Sequence, residues 1–217
     1  MKKILLGFIV IYIIIIGILT FIWSEKDVMT NEKYNELKVY YMSEKDCTSY
    51  THLQDYIVQD EAVTDISDLK ENSELVIKAK MTERKFVGEG VINICDVIQL
   101  YKGEYKKNKI MIYDFTYSWG STAGYFEGAV PLHEGDTYIM FLNSAPNPNV
   151  KDTYIFSSFS YGHFRIKEDV LSNSKYDLND PMSVQQVSRY DHVCFDNRKT
   201  ETFQMLQKQI FHEYNNE

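Results

Sequence analysis

Signatures of catalysis are what this 217-residue chain most conspicuously lacks. There is no His-Glu-x-x-His pair on a helical pattern: His133-Glu134 and His212-Glu213 both miss the second histidine. Gly120-Ser121-Thr122-Ala123-Gly124 does not have the Gly-x-Ser-x-Gly spacing of a nucleophile elbow. Gly88-x-Gly90 is too short for a phosphate loop and runs into a strand pattern, so no helix dipole stands behind it. The carboxylate pairs Asp65/Asp68 and Asp177/Asp180 read as turn and cap residues. No catalytic residue and no cofactor is nominated, internal repeats are missing, and the balance is against an enzyme.

Cysteine is scarce as well. Cys47, Cys95 and Cys194 are too few and too scattered for a disulfide scaffold. One bridge plus a free thiol, or three reduced thiols, both remain open. Basic clusters are missing too: 23 Lys and Arg face 31 Asp and Glu. That balance repels phosphate backbones and argues against nucleic acid as a partner.

Against these absences stands one long apolar run. From Ile4 through Ile13 to Trp23 there is no charged residue. Twenty helical residues at ~1.5 Å each reach about 30 Å, the thickness of a bilayer's hydrocarbon core. Lipid forces backbone groups to pair internally, so even an isoleucine-rich run is helical there. Trp23 falls where an interfacial aromatic belongs. The exit, Leu19-Thr20-Phe21-Ile22-Trp23-Ser24, lacks a small-x-small cleavage site, and no Cys follows for lipidation. The expectation is an uncleaved signal anchor over 1–24, held in the bilayer by residues 4–23. Lys2 and Lys3 precede the run, which puts the N-terminus in the cytoplasm and the body of the chain outside it. With those two lysines set aside, 21 basic residues oppose 31 acidic ones in the body, a net charge of −10.

The body is long enough for one domain. Residues 25–63 form a polar lead-in, in which Tyr34, Leu37 and Tyr41 at helical spacing suggest a helical stalk. Asp65–Asn72 reads as a short capped turn or helix. Alternating patterns then predict strands at Leu75–Met81, Val91–Tyr101, Lys109–Phe115, Asp136–Asn143, Thr153–Phe159 and His163–Lys167. In the second, Ile92, Ile94, Ile98 and Leu100 are expected on the core face, with Asn93, Cys95 and Gln99 opposite. The strand at 136–143 is apolar on both faces and should be central. Asp180-Pro181 predicts a helix opening at Met182–Arg189. Thr200–Tyr214 predicts another, with Phe203, Leu206, Ile210 and Phe211 as its stripe. The fold class expected is mainly β with terminal helices, divided into a β-barrel domain at 64–170 and a helical segment at 171–217 packed on it.

Three stretches carry a family resemblance: Glu-Leu-Val-Ile-Lys-Ala-Lys (74–80), Val-Ile-Gln-Leu-Tyr-Lys-Gly-Glu-Tyr-Lys-Lys (97–107) and Pro-Leu-His-Glu-Gly-Asp-Thr-Tyr-Ile-Met-Phe-Leu (131–142). Together they resemble a domain of exported or membrane-anchored Gram-positive proteins, similar in outline to OB-type barrels of the netrin and metalloproteinase-inhibitor kind. The resemblance covers about a third of the chain and implies an OB-like barrel. The inhibitors use an N-terminal cysteine whose amine reaches a metal; this chain starts with an apolar anchor, so that activity is not implied.

The segment Tyr113–Phe126 sets Tyr113, Phe115, Tyr117, Trp119, Tyr125 and Phe126 around a Ser/Gly/Thr loop. Rigid aromatics on a small-residue frame are the composition of binding loops. Tyr117, Trp119 and Tyr125 are the candidate ligand contacts of a binding module whose partner is an envelope protein. The alternative is a thiol- or metal-dependent enzyme around His192 and Cys194, to which Cys47 and His52 could add two more zinc-type ligands.

Overall fold

A computed structural model describes residues 29–42, 57–88, 90–146, 152–167, 171–173 and 176–214. The anchor at 1–24, residues 25–28 and 43–56 of the lead-in, and with them Cys47 and His52, lie outside the described residues. Among the described residues no helix is long and apolar enough to cross a membrane. The fold is mainly β.

The chain enters through helix α1 (Asn31–Glu36), which Thr30 caps by accepting from the Lys33 N–H at 3.3 Å. It leaves α1 directly into strand β1 (Lys38–Met42). The expected stalk helix therefore stops at Glu36. The strand that follows exposes Lys38 and Tyr40 and buries Val39 and Tyr41, a period of two. A short 3₁₀ turn (Asp60–Ala62) leads to α2 (Ile66–Glu71), closed at its start by the Asp65/Asp68 capping box.

Five strands carry the centre: β2 (Leu75–Val87), β3 (Gly90–Lys102), β4 (Lys109–Trp119), β6 (Thr137–Ser144) and β7 (Thr153–Phe156). They pair in the order β4-β3-β2-β6-β7, and β7 returns to pair parallel with β4 (Met111↔Thr153, Ile112↔Tyr154), so the path closes into a ring. Two strands extend it beyond β4: β5 (Thr122–Phe126) antiparallel to β4, and β1 parallel to β5. β8 (His163–Arg165) pairs with β6. Last come β9 (Ser172–Asn173), α3 (Val184–Val187), β10 (His192–Val193) and α4 (Asn197–Tyr214).

Two cores share β2 and β6. Leu75, Ile77, Ala79, Met81, Met140 and Leu142 face one; Val76, Ile139 and Phe141 face the other, which α4 covers with Phe203, Leu206, Ile210 and Tyr214. Thus β6 is buried on both faces, as its sequence predicts. Phe211 is only half buried, and Gln207 takes its place in the stripe.

Two sequence expectations need correction. In β3, Ala79 pairs with Val97 but Lys78 pairs with Gln99, so Ile98 is the extra residue of a bulge. One inserted residue inverts the alternation. Ile92 and Ile94 are buried, as expected, but so are Val91, Asn93 and Cys95 on the opposite side; Val97 packs against the core, and Ile98 and Leu100 are exposed. At the C-terminal side the helix opens at Ser183, whose Oγ accepts from the Gln186 N–H in a capping box; Asp180 to Met182 stay outside the helix, and the Met182 carbonyl accepts from the Val39 N–H at 2.9 Å.

Truncating Phe203, buried against Phe164 at 5.0 Å between stacked rings, leaves a cavity under α4. Phe203→Ala should cost ~3–5 kcal/mol in urea unfolding. Met205→Ala, on the exposed face of the same helix, should stay within about 0.5 kcal/mol.

Candidate functional site

The aromatic segment folds as a hairpin. β4 turns into β5 over Gly120-Ser121, and Gly120 holds φ at +59°, a left-handed conformation that favours glycine. Register then decides which rings meet. Tyr117 pairs with Gly124 and Trp119 with Thr122; on the far side of β5, Tyr40 pairs with Gly124 and Lys38 with Thr122. Directly paired residues share a face, so Trp119, Tyr117 and Tyr40 stand together on one side of a three-stranded surface. Trp119 is 76% exposed and Tyr40 41%.

The ring of Tyr117 lies over Gly124: a Cβ at that position would collide with Cε1 and Cζ of the tyrosine. Its hydroxyl donates to the Met42 sulfur at 3.5 Å, which fixes the ring against the sheet. Gly90, the partner of Tyr117 on β3, is covered in the same way by Tyr113. The row Gly90–Tyr117–Gly124–Tyr40 thus alternates glycine and tyrosine over four strands. Rings laid flat on glycine backbone are rigid before any ligand arrives, which lowers the ordering cost of binding.

Tyr125, the third residue nominated from sequence, does not join this face. It alternates with Gly124 and pairs with Tyr41 on the buried side, fully enclosed, where its hydroxyl and that of Tyr34 share a hydrogen bond. Tyr40, which sequence reasoning missed, takes its place. The signal was present in the alternation of Lys38, Tyr40 and Met42 with Val39 and Tyr41, but the helical spacing of Tyr34, Leu37 and Tyr41 obscured it.

Beneath the face lies a polar network. Arg84 Nε donates to Asn93 Oδ1 at 3.3 Å, and an Arg84 Nη donates to the Leu132 carbonyl. Asn93 Nδ2 donates in turn to Asp114 Oδ2 at 3.1 Å. The guanidinium also sits over the Tyr34 ring, 4.9 Å from its centroid, which ties α1 to the sheet. Burial pushes the Asp114 carboxyl up to about 6, although Arg84 and the Asn93 hydrogen bond both pull it down. Burial, with Asp114 nearby, likewise raises the Tyr34 hydroxyl to about 12. These groups brace the sheet from behind and do not reach the exposed rings.

His192 and Cys194 are placed elsewhere, under α4 and next to Glu127. Cys194 donates its S–H to Glu127 Oε1 at 3.1 Å, and burial pushes the thiol up to about 12. His192 is wholly buried, stacked on Phe203 at 4.6 Å, and its ring nitrogens find no hydrogen-bond partner among the described residues. Burial, reinforced by Lys199, drives its pKa down to about 3. The thiol thus bonds a carboxylate, and the neutral imidazole stacks on a phenyl ring. A thiolate–imidazole pair would need the opposite of both. Cys95 and Cys194 are both free thiols. Among the described residues no group of three or more His, Cys, Asp and Glu converges as a metal site.

The Asp114 carboxyl makes stability depend on pH in a defined direction. Its folded value of about 6 lies above the ordinary 3.8, so the folded state favours the protonated form. That contribution is whole below about pH 3.8 and is lost as pH rises through about 6. Between pH 4 and 7.5 the wild type should lose on the order of 2–3 kcal/mol more unfolding free energy than Asp114→Asn. Urea titrations at the two pH values check this; identical pH responses in both proteins would contradict it. No protein-family model matches the chain and no curated protein matches it, so the functional reading rests on these side chains.

Proposed function

We propose that this protein is a membrane-anchored, extracytoplasmic binding module, and that its contact surface is the face formed by Tyr40, Tyr117 and Trp119. The observation that carries the reading is the exposure of Trp119, at 76%, on a braced sheet surface. Tryptophan is highly buried on average in folded domains, and tryptophan and tyrosine are enriched at the energetic centres of interfaces. Tyr117, pinned over Gly124, and Tyr40 beside it supply contact area at little entropic cost.

The anchor reading rests on the uncharged run Ile4–Trp23 and on Lys2 and Lys3 before it. The OB-type reading of the domain is supported by the closed five-strand path. In it, three antiparallel neighbours (β2, β3, β4) are completed by a returning pair (β6, β7), the wiring of a small Greek-key barrel. The net charge of −10 outside the anchor disfavours anionic polymers, so the partner we assign is a protein component of the envelope.

Cross-linking the full-length protein in its native membrane and pulling it down should recover such a partner. Trp119→Ala and Tyr40→Ala should each lower recovery at least tenfold, the loss expected at the centre of an interface. Cys194→Ser should leave recovery unchanged. Equal recovery with all three variants would overturn the assignment of the face.

A further inference from the structure

The same hairpin tip has a second possible contact, set by where the chain enters the domain. Residue 30 caps α1, and residue 23 ends the apolar run, so seven residues separate them. Seven residues span at most about 25 Å. On the anchor reading, the first turn of α1 therefore stays within about 25 Å of the bilayer surface. α1 is a six-residue helix, only about 9 Å long, and it passes at once into β1.

The start of β1 is bound to the hairpin tip. The Lys38 N–H donates to the Ser121 carbonyl at 3.0 Å, and Lys38 pairs with Thr122. Because β1 and β5 run parallel, the end of the sheet at which the chain arrives from the anchor is also the end that carries Trp119, Gly120 and Ser121. The tip suits a bilayer surface in its chemistry. Phe115 to Phe126 contains no charged residue, between Asp114, buried behind the sheet, and Glu127, engaged with Cys194. Tryptophan settles at the headgroup–acyl boundary because its ring is apolar and its N–H is polar. An acidic body gains nothing from anionic headgroups, so contact is confined to the uncharged tip.

We propose that the β4–β5 tip seats Trp119 in the interfacial layer of the membrane that holds the anchor, so that the bilayer takes the Trp119 end of the proposed contact face and the protein partner meets its Tyr40–Tyr117 end at the lipid surface. This rests on the anchor reading above. The chain is thereby fixed to the membrane at two points, and Tyr40 and Tyr117 are presented at the lipid surface, where a membrane-resident partner would meet them.

The chain has two tryptophans, Trp23 and Trp119, which allows a direct test on the full-length protein. Trp23→Phe leaves Trp119 as the only indole and Trp119→Phe leaves Trp23; each is placed in phosphatidylcholine nanodiscs, with both faces open to solvent. Trp119 should be quenched by lipids brominated near the carboxyl end of the acyl chain and should be several-fold less sensitive to iodide than free tryptophan. Ser121→Glu, which adds a charge at the exposed tip, should reverse both properties while the circular dichroism stays unchanged. Trp119 quenched freely by iodide and indifferent to brominated lipid overturns the proposal. Trp23 then separates the two readings: quenched by brominated lipid, it keeps the anchor and sinks only the tip contact; free in water, it removes both.

Discussion

The parallel pairing of β1 with β5 is the constraint on which the rest of the surface depends. It turns the stretch after α1 into a strand and lays Tyr40 beside Gly124. The same strand also meets residues 176–184. The Val39 N–H donates to the Met182 carbonyl at 2.9 Å, the Val184 N–H to the Leu37 carbonyl at 2.9 Å, and the Tyr176 hydroxyl to the Val39 carbonyl at 2.6 Å. An edge strand would otherwise offer unpaired backbone to any passing chain, and here the segment before α3 covers it. Parallel strands need a long connection, and the whole of β2 to β4 lies between these two.

The buried polar groups follow from the same geometry. Where β1 and α1 cover the sheet, Tyr34 and Tyr125 lose water and find each other, and Arg84 is drawn under the Tyr34 ring. Leaving any of these groups unpaired would cost about 1–3 kcal/mol, more for the charged ones. Elsewhere the same logic joins Arg165, which pairs with Asp136 at 3.2 Å and donates to the Ser188 carbonyl at 2.6 Å, while Lys167 holds Asp191 at 2.9 Å. Asp60 is held by Lys199 at 2.9 Å and by the hydroxyls of Ser158 and Ser160, which ties the 3₁₀ turn to α4. These contacts lock loops and termini onto the ring. In these clusters the carboxylates of Asp60 and Asp191 are buried, while Asp136 and Lys167 keep part of their surface in water.

Much of this architecture was legible in the residues, because its signals are local. The alternation of Leu75, Ile77 and Ala79, the two-faced apolarity of 136–143, the Asp65 cap and the Phe203–Leu206–Ile210 stripe each report their own environment. What escaped was set by pairing partners far away in sequence. The bulge at Ile98 depends on how Lys78 and Ala79 engage β3, and no pattern within β3 announces it. β1 was hidden by a helical spacing that α1 does use at Tyr34. Two of the three residues of the candidate face could be read: Trp119 and Tyr117 lie where a Ser/Gly loop flanked by aromatics suggested. Which side Tyr125 takes, and that Tyr40 joins, are decided by register between strands more than eighty residues apart in the chain.

The central claim is that the segment directly after α1 is part of the sheet and supplies Tyr40 to the proposed contact face. Hydrogen–deuterium exchange on the full-length protein in nanodiscs tests it most directly, because a ladder strand protects its amides and a tether does not. The account predicts that peptides covering Lys38–Met42 exchange as slowly as those covering Thr122–Phe126, with both slowed together. Exchange of 38–42 at the rate of free chain, while 122–126 stays protected, would contradict it.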